Sequence, residues 1–132
     1  MDKKAAKLAY KSTRRPIGVF AIRNLVNDKI FIGSSVNLDA IFNRIRFQLY
    51  GGAHMNKAFE EDWRRFGTGK FEFEILEELE QTLEDGHDYT ADLEALEDLW
   101  LNKLQPYESR GYNEPKKTRE ERLRLIAANR SI

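Results

Sequence analysis

Hydrophobic and polar positions change period several times along the chain. Residues 17–23 and 29–33 read as two strands around Asn24-Leu25-Val26-Asn27-Asp28, a hairpin-like connection. Leu38, Ile41, Phe42, Ile45 and Leu49 then recur at helical spacing. Asn37 before them is a good N-cap, and Gly51-Gly52 stops the pattern after Tyr50. A second helix is expected from about His54 to Phe66, with Ala58, Phe59, Trp63 and Phe66 inward and Gly67-Thr68-Gly69 as the closing turn. Phe71-Glu72-Phe73-Glu74-Ile75 alternates strictly, which predicts a strand with one buried face. Beyond a loop at 81–89, Thr90 is expected to cap a helix reaching about Leu104, with Pro106 after it. Two basic helices are expected at the ends. One covers 1–12 and is broken by Pro16; the other opens at the capping-box pattern Thr118-Arg119-Glu120-Glu121.

Strand, strand, helix, helix, strand, helix is an α+β order: a small three-stranded sheet flanked by helices, with added N- and C-terminal helices. Residues 1–16 form a basic extension, 17–113 the domain and 114–132 a basic C-terminal segment. The 132 residues suit one domain, and 41% hydrophobic content with eight Phe excludes a fully disordered chain. No apolar run approaches the roughly 18 residues of a membrane span. The basic start lacks the apolar core of a secretory signal. The absence of cysteine excludes disulfides and thiolate zinc sites and fits a cytoplasmic protein.

Net charge is zero, yet the charges are segregated. Residues 1–70 carry 14 Lys+Arg against 6 Asp+Glu (+8). Residues 71–100 carry 12 Asp+Glu and no Lys or Arg (−12), and residues 101–132 carry 8 against 4 (+4). Local potential rather than the total governs encounter with a polyanion. The basic ends, with Lys3, Lys4, Lys7, Lys11, Arg14 and Arg15 at one and Lys116, Lys117, Arg119, Arg122 and Arg124 at the other, offer either a phosphate-tracking surface or solvated faces.

One side chain departs from the apolar logic of its helix. Leu93, Trp100 and Leu104 make the inward stripe of 90–104, and Glu97 lies on it. A carboxylate there either reaches water from the boundary or holds a hard cation, in the manner of Mg²⁺ bound by one carboxylate plus phosphate and water. His54, just after Gly52-Ala53, is by itself a surface or capping histidine. No His/Asp/Glu cluster with metal-ligand spacing is visible, and Gly67-Thr68-Gly69-Lys70 is too short for a phosphate cradle.

The ordered set of pieces resembles the GIY-YIG endonuclease domain. Gly18-Val19-Phe20 and Phe31-Ile32-Gly33 stand where that family has its two signature strands. The resemblance continues through Ala53-His54-Met55-Asn56, Trp63-Arg64-Arg65-Phe66-Gly67, the strand from Phe71, Glu94 to Trp100, and Gly111-Tyr112-Asn113. It implies that Glu97 is the metal-holding glutamate, with Mg²⁺ or Mn²⁺ as cofactor. It also implies that His54 is a site histidine and that Asn113 is the closing asparagine.

The same resemblance exposes four departures. Both signature tyrosines are phenylalanine (Phe20 and Phe31), the expected arginine is Ile41, and a further histidine is Ile45. Phenylalanine relays no proton and isoleucine stabilises no phosphoryl charge. Losing one such group typically costs about 10²–10³ in rate. Arg44, one turn beyond Ile41, is the candidate substitute cation. Phe20, Phe31, Ile41 and Ile45 therefore read either as an apolar pocket with polar groups at its rim or as ordinary core. The leading expectation is a catalytically impaired domain, not an active enzyme, binding nucleic acid or a nucleotide through the former cleft and the basic ends. One alternative is an active metal-dependent endonuclease using Glu97, His54 and Arg44. Another is an interaction protein of phage or mobile-element type, inhibiting a host enzyme or nucleotide signal or docking a basic partner through the acidic segment 71–100.

Overall fold

The computed structural model describes residues 15–84, 86–115 and 119–130; the expected helix over 1–12 and the expected cap at Thr118 lie outside them. Strand β1 (Gly18–Asn24) pairs antiparallel with β2 (Ile30–Ser35), and its other edge pairs antiparallel with β3 (Phe71–Glu78). The sheet order is β2-β1-β3, so the first strand is central. Its composition explains why. Val19 and Ala21 face one apolar cluster while Phe20 and Ile22 face another, so both faces need cover. The hairpin closes through Asn24, whose backbone N–H donates to Lys29 O, and Asp28 takes the left-handed conformation at φ 62°.

Helices α1 (Leu38–Tyr50) and α2 (Lys57–Phe66) cover the Phe20 face with Leu38, Ile45, Leu49, Phe59 and Trp63. Helix α3 (Thr90–Leu104) covers the other face through Leu101, with Leu96, Trp100 and Leu104 against it. The expected cap at Asn37 forms, its side chain accepting from Ala40 N. A last helix, α4 (Arg119–Arg130), carries the exposed Leu123, Leu125 and Ile126.

Four expectations are corrected. Helix α2 starts at Lys57 rather than near His54, because Asn56 caps it by accepting from Phe59 N. Ala58, expected inward, is exposed. Ile75 is also exposed, although it pairs with Phe20 and so shares the face of Phe71 and Phe73; just beyond it the register shifts, and the extra residue Leu76 packs on the α3 side of the sheet. Thr90 is the first helical residue instead of the cap, and Asp88 accepts from its N–H and hydroxyl. The α3 stripe itself holds, with Trp100 and Leu104 half-buried against the sheet, and it includes one residue the expectation left out, Leu101, which is buried like Leu93.

Candidate functional site

Glu97 is half-buried on α3 and faces the end of β2. Its Oε2 accepts from the Ser34 hydroxyl at 3.1 Å. Gly111-Tyr112-Asn113 runs along the outer edge of β2. The Tyr112 N–H donates to Ile30 O at 3.0 Å, and the Asn113 amide both donates to Ile32 O and accepts from Ile32 N at 2.8 Å. Gly111 is required there: a Cβ would sit 2.4 Å from Pro106 O and 2.5 Å from Ile30 O. The Asn113 amide thus serves as a substitute strand partner that closes an otherwise open sheet edge.

Phe20, Phe31, Ile41 and Ile45 pack into one cluster. Phe20 is 2% exposed and meets Phe42 edge-to-face at 5.6 Å. Phe31 stacks on Phe59 with centroids 5.2 Å apart and planes 9° apart. Ile45 is 3% exposed, and Ile41 packs against the same cluster. A pocket reaching Phe20 and Ile45 is therefore filled with their own side chains and those of α1 and α2. Arg44 is exposed on α1, and Arg46 lies 4.1 Å over the Phe73 ring.

His54 is buried, 6% exposed, with its ring edge-on to Phe31 at 5.5 Å and to Phe59 at 5.2 Å. Burial among these rings lowers its pKa; the Glu60 charge opposes that shift, and Lys57 adds to it. Nδ1 accepts from Asn56 N at 3.0 Å, which fits the neutral ring with its proton on Nε2. Sequence reasoning missed the residue that holds this turn. Glu60 is 5% exposed, accepts from His54 N at 3.1 Å, and pairs with Arg64 at 3.1 Å and Lys57 at 3.4 Å. Only its i,i+4 spacing to Arg64 hinted at this role, and that spacing is common on helix surfaces.

A cleft of about 750 Å³ opens beside this turn, lined by Lys29, Phe31, His54, Asn56, Lys57, Tyr112 and Asn113 among others. It brings together Phe31, His54 and Asn113. Phe20, Ile41, Arg44, Ile45 and Glu97 are not among its lining residues. Among the described residues no group of three or more His, Asp or Glu is placed to hold a metal. Glu97 and the Ser34 hydroxyl are hard oxygen donors, a set that fits Mg²⁺ held mainly by a substrate phosphate and water.

No protein-family model matches the sequence. Two solved structures do match. The catalytic domain of the homing endonuclease I-TevI superposes with a TM-score of 0.62 at 25% identity, covering 76% of this chain and 99% of that one. A mutant of the catalytic domain of intron endonuclease I-TevI gives 0.64 at 25% identity, covering 78% and 97%. The chain has the GIY-YIG endonuclease fold. The match rests on the three-stranded antiparallel sheet and the helices packed on it. GIY-YIG nucleases are typically divalent-metal dependent. Of the polar site positions that the resemblance implies, Glu97 stands at the end of β2, while His54 and Asn113 are engaged in holding the fold.

Proposed function

We propose that this GIY-YIG-like domain binds nucleic acid without cleaving it. One observation carries the reading. The positions where the family places two tyrosines, an arginine and a histidine hold Phe20, Phe31, Ile41 and Ile45, and these pack into the α1/α2 core. None can activate water, donate to a non-bridging oxygen or balance phosphoryl charge. The fold retains Glu97 with Ser34. A metal held there would neutralise phosphate charge, and the chain adds no cation or proton relay beside it among the hydrogen bonds described.

Binding itself draws support from the fold's relation to an endonuclease domain and from the +8 excess of residues 1–70. It draws support also from the cleft, whose lining includes Lys29 and Lys57 as well as Phe31. The expected behaviour is affinity that falls steeply between low and moderate salt, since phosphate contacts release counterions. Incubating a supercoiled plasmid with Mg²⁺ or Mn²⁺ tests the loss of cleavage: no nicking is expected from the wild type. Nicking by the wild type that disappears in Glu97→Ala would instead establish an active endonuclease. A nucleobase absorbance band that co-purifies with the protein and is lost on denaturation would point to a bound nucleotide in the cleft.

A further inference from the structure

Helix α1 exposes two aromatic rings on the side turned away from the core. Of the eight phenylalanines, all described, Phe47 alone is exposed, at 79%. Tyr50, three residues on, is 70% exposed. Positions three apart on a helix are neighbours, so the two rings share one surface. Tyr50 is braced: its ring stands edge-on to the buried Trp63 with centroids 6.1 Å apart. Cations surround the pair. Arg44, exposed, and Arg46, half-buried with its guanidinium over the Phe73 ring, lie on either side of Phe47 around the helix, and neither is ion-paired among the described residues. Arg64 approaches the chain at Gly52, just past Tyr50. The nearby acid Glu60 is buried and already satisfied.

Two exposed rings beside the exposed Arg44, with Arg46 and Arg64 adding positive charge around them, match what an unpaired strand presents: base faces to stack and phosphates to pair. A duplex hides its base faces. A second copy of this chain meeting the patch about a two-fold axis would bring Arg44 and Arg46 against their own counterparts. We propose that the outward face of α1, centred on Phe47 and Tyr50, is a stacking platform for single-stranded nucleic acid. The proposal rests on the nucleic-acid reading above and adds to it the strand class and the surface.

Fluorescence anisotropy with a labelled oligothymidylate of about 16 nucleotides, the matching oligouridylate and the corresponding duplex tests this. The single strands are expected to bind at least about tenfold tighter than the duplex, with Phe47→Ala and Tyr50→Ala each losing roughly tenfold. Phe47→Trp and Tyr50→Trp should keep their affinity, because stacking tolerates any large ring. Arg44→Ala should reduce the salt slope by about 0.7, one phosphate contact on a single strand. Tighter oligouridylate binding would make the ligand RNA through its 2′-hydroxyls, and tighter oligothymidylate binding would make it DNA; either supports the platform. Duplex binding equal to single-strand binding, or an unchanged Phe47→Ala, would overturn the platform while leaving the nucleic-acid reading standing. A dimer in light scattering that Phe47→Ala dissolves would likewise overturn the platform. Failure of the wild type to bind any of the three at low salt would overturn both.

Discussion

The Phe20 ring ends against the backbone of Gly33, its partner in the β1–β2 register: a Cβ built on Gly33 would lie 2.6 Å from Phe20 Cζ. The glycine of the second signature strand therefore makes the space that the aromatic ring of the first one fills. Gly33→Ala is expected to cost about 1–3 kcal/mol, because a buried ring with Phe42 and Phe31 around it has nowhere to move. In a Phe20→Ala background the same change should cost little, giving a strong non-additive coupling. Urea unfolding of the four proteins in this cycle measures it. Additive losses would show that the contact carries no strain.

That contact also marks how far the sequence could be read. Period and caps located the strands and helices well, since Asn37 and the alternation from Phe71 act through neighbouring residues. Errors arose where a distant partner decides. The alternation from Phe71 ended at a register shift against β1 that left Leu76 facing α3, and Asn56 displaced the expected start of α2. The site was less legible. Phenylalanine and isoleucine look alike in an open pocket and in a core, so only packing distinguished Phe20 from a ligand-contacting residue. Glu60 and Asn24 were silent because nothing in their own spacing says that they are buried.

The Tyr112 hydroxyl donates to Asp62 Oδ2 at 2.6 Å and accepts from Asn24 Nδ2 at 2.9 Å. Asn24 is fully buried, so Tyr112→Phe leaves its amide short of a partner and should cost about 1–3 kcal/mol. The phenol pKa is pushed up to about 12, chiefly by burial, with the Asp62 carboxylate adding to it. A folded-state value above the unfolded one means that this stability is intact below pH 10 and is lost as pH climbs toward about 12. Alkaline unfolding, followed with phenolate absorbance, should show that decline in the wild type. An equally steep decline in Tyr112→Phe would remove Tyr112 as its source.

His54 is expected to make stability depend on pH on the acid side. Its pKa is lowered, so the unfolded chain takes up a proton before the folded one does. The contribution is whole above the ordinary value of 6.5 and diminishes as pH falls through 6.5 to the folded value. His54→Gln keeps an acceptor for Asn56 N but cannot titrate. Its stability, measured by urea unfolding at several pH values below neutrality, should vary less with pH than that of the wild type. Parallel curves would assign the acid sensitivity to other groups.

Glu60 separates two kinds of stabilisation that its contacts combine. Its ion-pair partners Lys57 and Arg64 have side chains 70% and 65% exposed, so water already screens their attraction to it. The hydrogen bond from His54 N is different, because that N–H is buried and water does not replace the lost acceptor. Glu60→Gln keeps an oxygen for His54 N while losing the charge, and should cost under about 1 kcal/mol. Glu60→Ala removes the acceptor as well and should cost about 1–3 kcal/mol. It should also speed amide exchange at His54 and Asn56, since the turn that carries the histidine loses its anchor. If Gln proved as damaging as Ala, the ion pairs rather than the hydrogen bond would be holding the turn.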